Sequence, residues 1–90
     1  MDQVKLKKYA LLLESEIEKY KDESKDVLAL SEYEPIVKAI KDAKNMAIEQ
    51  PHEIQLRFFY FESSIQNFRA LSDYLAIFSL LLKGWEINDI

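Results

Sequence analysis

Ninety residues without a cysteine make one domain, residues 1–90, that no disulfide or thiolate metal site can staple. One glycine and two prolines exclude a turn-rich sheet fold and leave an all-α chain. The net charge of −4 disfavours a nucleic-acid partner, because the excess carboxylates repel phosphates.

Residues 3–22 form the first expected helix. Leu6, Tyr9, Leu13, Ile17 and Tyr20 recur at three-and-four spacing, with Ala10 and Leu12 beside them. Val4 and Leu11 fall on the far side, as isolated apolar residues often do. The run Asp22 to Asp26 interrupts the stripe, and the helix is expected to stop near Asp22. A continuation to Ala29 is the alternative, because Val27 would resume the stripe.

The second helix is expected over 32–49. Ser31 and Glu34 have the spacing of a capping box, in which each side chain bonds the other's backbone N–H. Pro35 disfavours helical geometry at Glu34, so Glu34 can instead be the cap with Pro35 opening the helix. Tyr33, Ile36, Val37, Ile40, Ala43 and Ala47 make the buried stripe, and Gln50–Pro51 ends it.

The third helix is expected over 52–83 and is the element that the rest must cover. Ile54, Phe58, Phe61, Ile65, Phe68, Leu75 and Leu82 share one face at helical spacing. Leu56, Phe59, Tyr60, Tyr74, Ile77 and Leu81 lie roughly opposite. An unbroken helix of this length spans about 48 Å at 1.5 Å per residue, more than the two shorter helices can cover. Its second face, those six residues, is therefore the expected dimer face, and a second copy would complete the bundle. A break near Ser63–Ser64, giving a four-helix monomer, is the alternative. Lys83 and Gly84 close the helix: the lysine matches the dipole, and the glycine takes a left-handed turn that brings Trp85 back toward Leu80. Ile87 gives the tail an apolar handle.

Neither a signal peptide nor a membrane span is expected. The apolar run Tyr9–Leu13 is too brief for a signal core. The run Tyr74–Leu82 is far short of the roughly 18–20 residues that cross a bilayer. Absent cysteine fits a reducing compartment, and the cytoplasm is the expected location.

The chemistry-bearing residues point away from catalysis. His52 is the single histidine, and Pro51 separates it from Glu49, so no helical Glu-x-x-His metal pair forms. No serine has a histidine nearby in sequence, and one glycine cannot make a phosphate loop. Neither cofactor nor metal is expected. Glu53 with Arg57 has the four-residue spacing of an intrahelical ion pair. Glu14, Glu16, Glu18, Asp22 and Glu23 crowd one segment, and residues 14–34 carry eight acids against three lysines. Such a patch would attract a basic protein and speed its encounter.

The expected function is non-enzymatic protein–protein interaction, through a homodimer built on residues 52–83. The alternative is a small acidic inhibitor, immunity- or antitoxin-like, that binds a basic protein through residues 14–34. A ligand-binding or enzymatic bundle ranks last.

Overall fold

The computed structural model describes residues 2–86. All regular structure among them is helical, in four α-helices and two short turns of tighter or wider pitch. Ile87 lies outside the described residues.

Helix α1 runs Gln3–Tyr20. Asp2 caps it, its carboxylate accepting from the Lys5 N–H at 3.0 Å. The expected stripe is its buried face: Leu6, Tyr9, Ala10, Leu13 and Ile17. The chain then turns, and the Ser24 hydroxyl accepts from the Val27 N–H at 3.3 Å to start a helix that the pattern did not separate. Helix α2 runs Lys25–Ser31 and buries Val27 and Leu30. Neither expectation for this segment holds whole, since the first helix stops but a second begins at once. Val27 does rejoin the core, carried there by a new helix.

Helix α3 runs Glu34–Lys44, shorter than the expected 32–49. The capping box does not form, because Ser31 belongs to the last turn of α2 and its hydroxyl donates to the Leu28 carbonyl. Tyr33 caps α3 with extended backbone, the geometry that Pro35 in the first turn favours. The early end has a local cause. Met46 adopts φ +55°, its N–H bonds the Ala43 carbonyl at 3.0 Å, and the Ala47 N–H bonds the Asp42 carbonyl at 2.8 Å. Those two bonds are a Schellman closure with methionine where glycine is usual. Ala47 thus leaves the stripe for the surface and Val37 is exposed as well, while Ile36, Ile40 and Ala43 are buried as expected and Ala39 joins them.

Residues 45–56 carry no helix, but Ile48, Ile54 and Leu56 enter the core. The His52 N–H donates to the Leu82 carbonyl at 2.9 Å, tying this segment to the far end of the chain. The Tyr33 hydroxyl donates to the Gln55 carbonyl at 2.8 Å.

The expected continuous helix 52–83 is broken at Ser63–Ser64, the position that the alternative named. A π turn spans Phe58–Glu62, Ser63 is extended at φ −120° and ψ 169°, and a 3-10 turn spans Ser64–Asn67. Helix α4 then runs Arg69–Leu82. Tertiary burial explains the break. Helix α1, at 18 residues, is about 27 Å long, so a straight partner of about 48 Å would hang beyond it. Folding the chain at Ser63 packs α4 along α1 and the 3-10 turn on α2, in a body 33 × 23 × 20 Å. Burying Phe59, Ile65, Leu71, Leu75, Phe78, Leu81 and Leu82 in one core outweighs the local helical bonds lost at the bend. Tyr9 of α1 meets Tyr74 of α4 edge to face, centroids 6.0 Å apart.

The far end of α4 closes as its sequence indicates. Gly84 sits at φ +89°, its N–H bonds the Leu81 carbonyl at 3.0 Å, and the Trp85 N–H bonds the Leu80 carbonyl at 3.2 Å. Trp85 itself stays 62% exposed, so the contact with Leu80 runs through its backbone.

Candidate functional site

The six residues of the expected dimer face divide. Leu56, Phe59 and Leu81 are buried in the chain's own core, and Tyr60, Tyr74 and Ile77 are half-buried. Phe59 packs its ring 5.3 Å from that of Tyr33, and Tyr74 packs on Tyr9. The bend at Ser63 rotates the two halves of the expected helix independently, so residues 56–60 and 74–81 do not form one stripe.

The same bend exposes two residues of the opposite face. Phe61 is 75% exposed and Phe58 49% exposed. Phe61 stands at the rim of a groove of about 250 Å³ between residues 53–57 and the last turns of α4. Ile54, Leu56 and Tyr60 supply its apolar lining, and Glu53, Arg57 and Lys83 its charges. Glu53 pairs with Lys83 at 3.6 Å across it, in place of the expected Arg57, because residue 53 is not helical. The Tyr60 and Ser79 hydroxyls lie 3.3 Å apart in this groove. Burial raises the Tyr60 phenol above its ordinary value, and the Ser79 hydrogen bond partly opposes that. Ser79 also donates to the Ala76 carbonyl, so its hydroxyl is engaged by its own helix.

The five acids of the expected patch do not share one face. Glu14 and Glu18 lie four residues apart and line a groove of about 340 Å³ between α1 and α3, floored by Ile17, Ile36 and Ile40. Glu16 points away from them, about 200° round the helix from Glu14. Asp22 and Glu23 sit in the turn after α1. Two of the five have cations in hand: both Glu14 oxygens accept from the Lys44 ammonium at 3.0 Å, and Glu18 meets Lys21 at 2.9 Å. Counting charges along the sequence cannot show Lys44, which reaches Glu14 from another helix.

His52 is exposed, with its Nδ1 3.4 Å from the Gln50 carbonyl. No group of three metal-ligating side chains occurs among the described residues. No helix among them is long and apolar enough to cross a membrane.

A further acid of residues 14–34, not among the five of the expected patch, is held by two bonds from one residue. The Asp26 carboxylate accepts from both the backbone N–H and the hydroxyl of Ser64, each at 2.7 Å. Those two bonds hold its pKa below the usual carboxylate value, against a smaller opposing effect of burial. Nothing in the spacing of residues 26 and 64 announces this pair. No family model, no curated protein and no solved structure matches the chain.

Proposed function

We propose that this chain is a non-enzymatic protein-interaction module whose partner is a second copy of itself, docked at the corner formed by Phe58 and Phe61. The observation that carries the reading is the exposure of Phe61, 75%, at a groove whose lining is part apolar and part charged. A phenylalanine that stands this far into solvent, with Phe58 also exposed near it, gains most when a partner covers it. The rim holds charges of both signs, Glu53 against Arg57 and Lys83, as a surface that pairs with its own copy requires. The pairing differs from the one expected from a straight helix, because each protomer already has a closed core.

Sedimentation equilibrium at micromolar concentration tests it. The wild type is expected at about twice its mass of 10.6 kDa. Phe61→Glu is expected to sediment as a monomer with its helical circular dichroism unchanged. A wild type that stays monomeric across that range overturns the reading.

A further inference from the structure

Residues 57–68 hold a break that their own composition does not demand. No glycine or proline lies between Arg57 and Lys83. In a continuous helix the N–H groups of Ser63, Ser64 and Ile65 would bond the carbonyls of Phe59, Tyr60 and Phe61. Here side chains take those places. The Ser63 hydroxyl donates to the Phe59 carbonyl at 2.7 Å and accepts from the Ile65 N–H at 3.2 Å. Asp26 takes the Ser64 N–H. On one side lies a π turn and on the other a 3-10 turn, forms that proteins use in short pieces and often at hinges. Of the groups that replace the helical bonds, Asp26 alone comes from outside the segment.

We propose that residues 57–68 are a hinge latched by Asp26, and that its opening straightens residues 57–82 into one helix that carries α4 onto α1 of a second copy, giving an arm-exchanged dimer. Length dictates the exchange. A straight helix over 57–82 spans about 39 Å at 1.5 Å per residue. The longest dimension of the closed chain is 33 Å. The closed chain holds the start of that helix beside its end, with the His52 N–H on the Leu82 carbonyl and Glu53 paired with Lys83, so straightening carries α4 away from its own α1 while residues 45–56 stay in place. The uncovered face of α1, with Leu6, Tyr9 and Leu13, is complementary to α4 and so to the α4 of another copy. The exchanged form keeps the contacts of α1 with α4, now between chains, while Phe59, Ile65 and Phe68 repack with the hinge. It loses the two Asp26 bonds and regains the helical bonds at the bend. This inference shares the second copy with the reading above but not the surface.

Two variants that both weaken the latch separate hinge opening from simple destabilisation. Asp26→Ala removes both bonds and leaves the segment free to become helix. Ser64→Pro removes the same bonds but forbids the straight helix, where proline loses a bond and clashes with the preceding turn. It fits the closed form, because the extended Ser63 has the backbone that residues before proline prefer. Equal parts of isotope-labelled and unlabelled chain are refolded together. Asp26→Ala is expected to raise the dimer association constant at least about tenfold. It should also increase helical circular dichroism and show the Tyr9–Tyr74 ring contact between chains by isotope-filtered NMR. Ser64→Pro should show none of these. A dimer through the Phe61 corner leaves the Tyr9–Tyr74 contact within each chain, so failure of one proposal is read separately from failure of the other. Asp26→Ala with that contact kept within the chain overturns the hinge. So does exchange in Ser64→Pro. Loss of cooperative melting in both Asp26→Ala and the milder Asp26→Asn also overturns it, because the freed bonds are then not recovered as helix.

Discussion

Asp26 and Ser64 are 38 positions apart in sequence and 2.7 Å apart in space, joined by two hydrogen bonds to one carboxylate oxygen. The pair lies at the bend where the chain folds back toward α1. It has a measurable pH signature. Hydrogen bonds to the ionised form lower the folded-state pKa of Asp26 from its ordinary 3.8. A depressed carboxylate contributes stability that is fully present above the unfolded value and is lost as pH falls through the folded one. The wild type is therefore expected to lose stability below about pH 4, and Asp26→Asn to show a shallower acid limb with lower stability at neutral pH. Thermal melts from neutral to acid pH check the slope. Parallel curves for the two proteins would mean that Asp26 does not carry it.

The two exposed phenylalanines predict a contrast with a buried one. Phe78 is fully buried in α4, and Phe61 stands in solvent. Phe78→Ala should cost about 3–5 kcal/mol through lost transfer energy and the cavity left behind. Phe61→Ala should change protomer stability by less than about 0.5 kcal/mol, as surface changes usually do. Urea denaturation at a concentration low enough that the wild type is monomeric isolates the protomer term. A loss at Phe61 comparable to that at Phe78 would place its ring in the core.

What could be read from the sequence was local. The α1 stripe needs only helical spacing, and the end of α4 needs only Lys83 followed by the single glycine. The bend at Ser63 answers burial in the shared core, and its Ser64 bonds Asp26 of another helix, so no window around Ser63–Ser64 could decide it. Helical periodicity over 52–83 described a helix that the isolated segment could form. The folded chain spends that periodicity differently, turning Phe59 inward and Phe61 outward. The acidic segment shows the same limit. Its charge was visible, but the lysine that neutralises Glu14 arrives from α3.

Met46 escaped notice for another reason: methionine gives no signal for a left-handed turn. Its φ of +55° strains an L side chain by roughly 1–2 kcal/mol. Met46→Gly should relieve that strain at the end of α3. Glycine's larger entropy in the unfolded chain takes back part of the gain, leaving a net stabilisation of about 0.5–1 kcal/mol. Met46→Val should be destabilising, because a β-branched residue tolerates positive φ least. Melting temperatures in the order Gly, Met, Val check this. A glycine variant that melts below wild type would show that the methionine side chain contributes more in contact than its backbone costs.

Gly84 answers the same geometry at the end of α4, with a second constraint that the sequence does not display. Its φ of +89° disfavours any β-carbon. A β-carbon built there would also sit 3.2 Å from Cγ of Pro51, closer than side chains ordinarily approach. Gly84→Ala should therefore cost about 1–2 kcal/mol from the backbone alone and somewhat more from crowding. Gly84→Asn, which tolerates the left-handed conformation, should be milder but not neutral, because its β-carbon meets the same proline ring. Gly84→Val should be the worst. A double-mutant cycle with Pro51→Ala separates the two effects. Removing the ring leaves the backbone strain untouched and opens the space, so Gly84→Ala should cost less in the Pro51→Ala background than in the wild type. If the two costs are equal, the 51–52 segment yields freely and backbone conformation is the whole of the glycine requirement. If Gly84→Ala is as stable as wild type in both backgrounds, α4 does not end with a left-handed residue, and the closure by Gly84 and Trp85 is wrong.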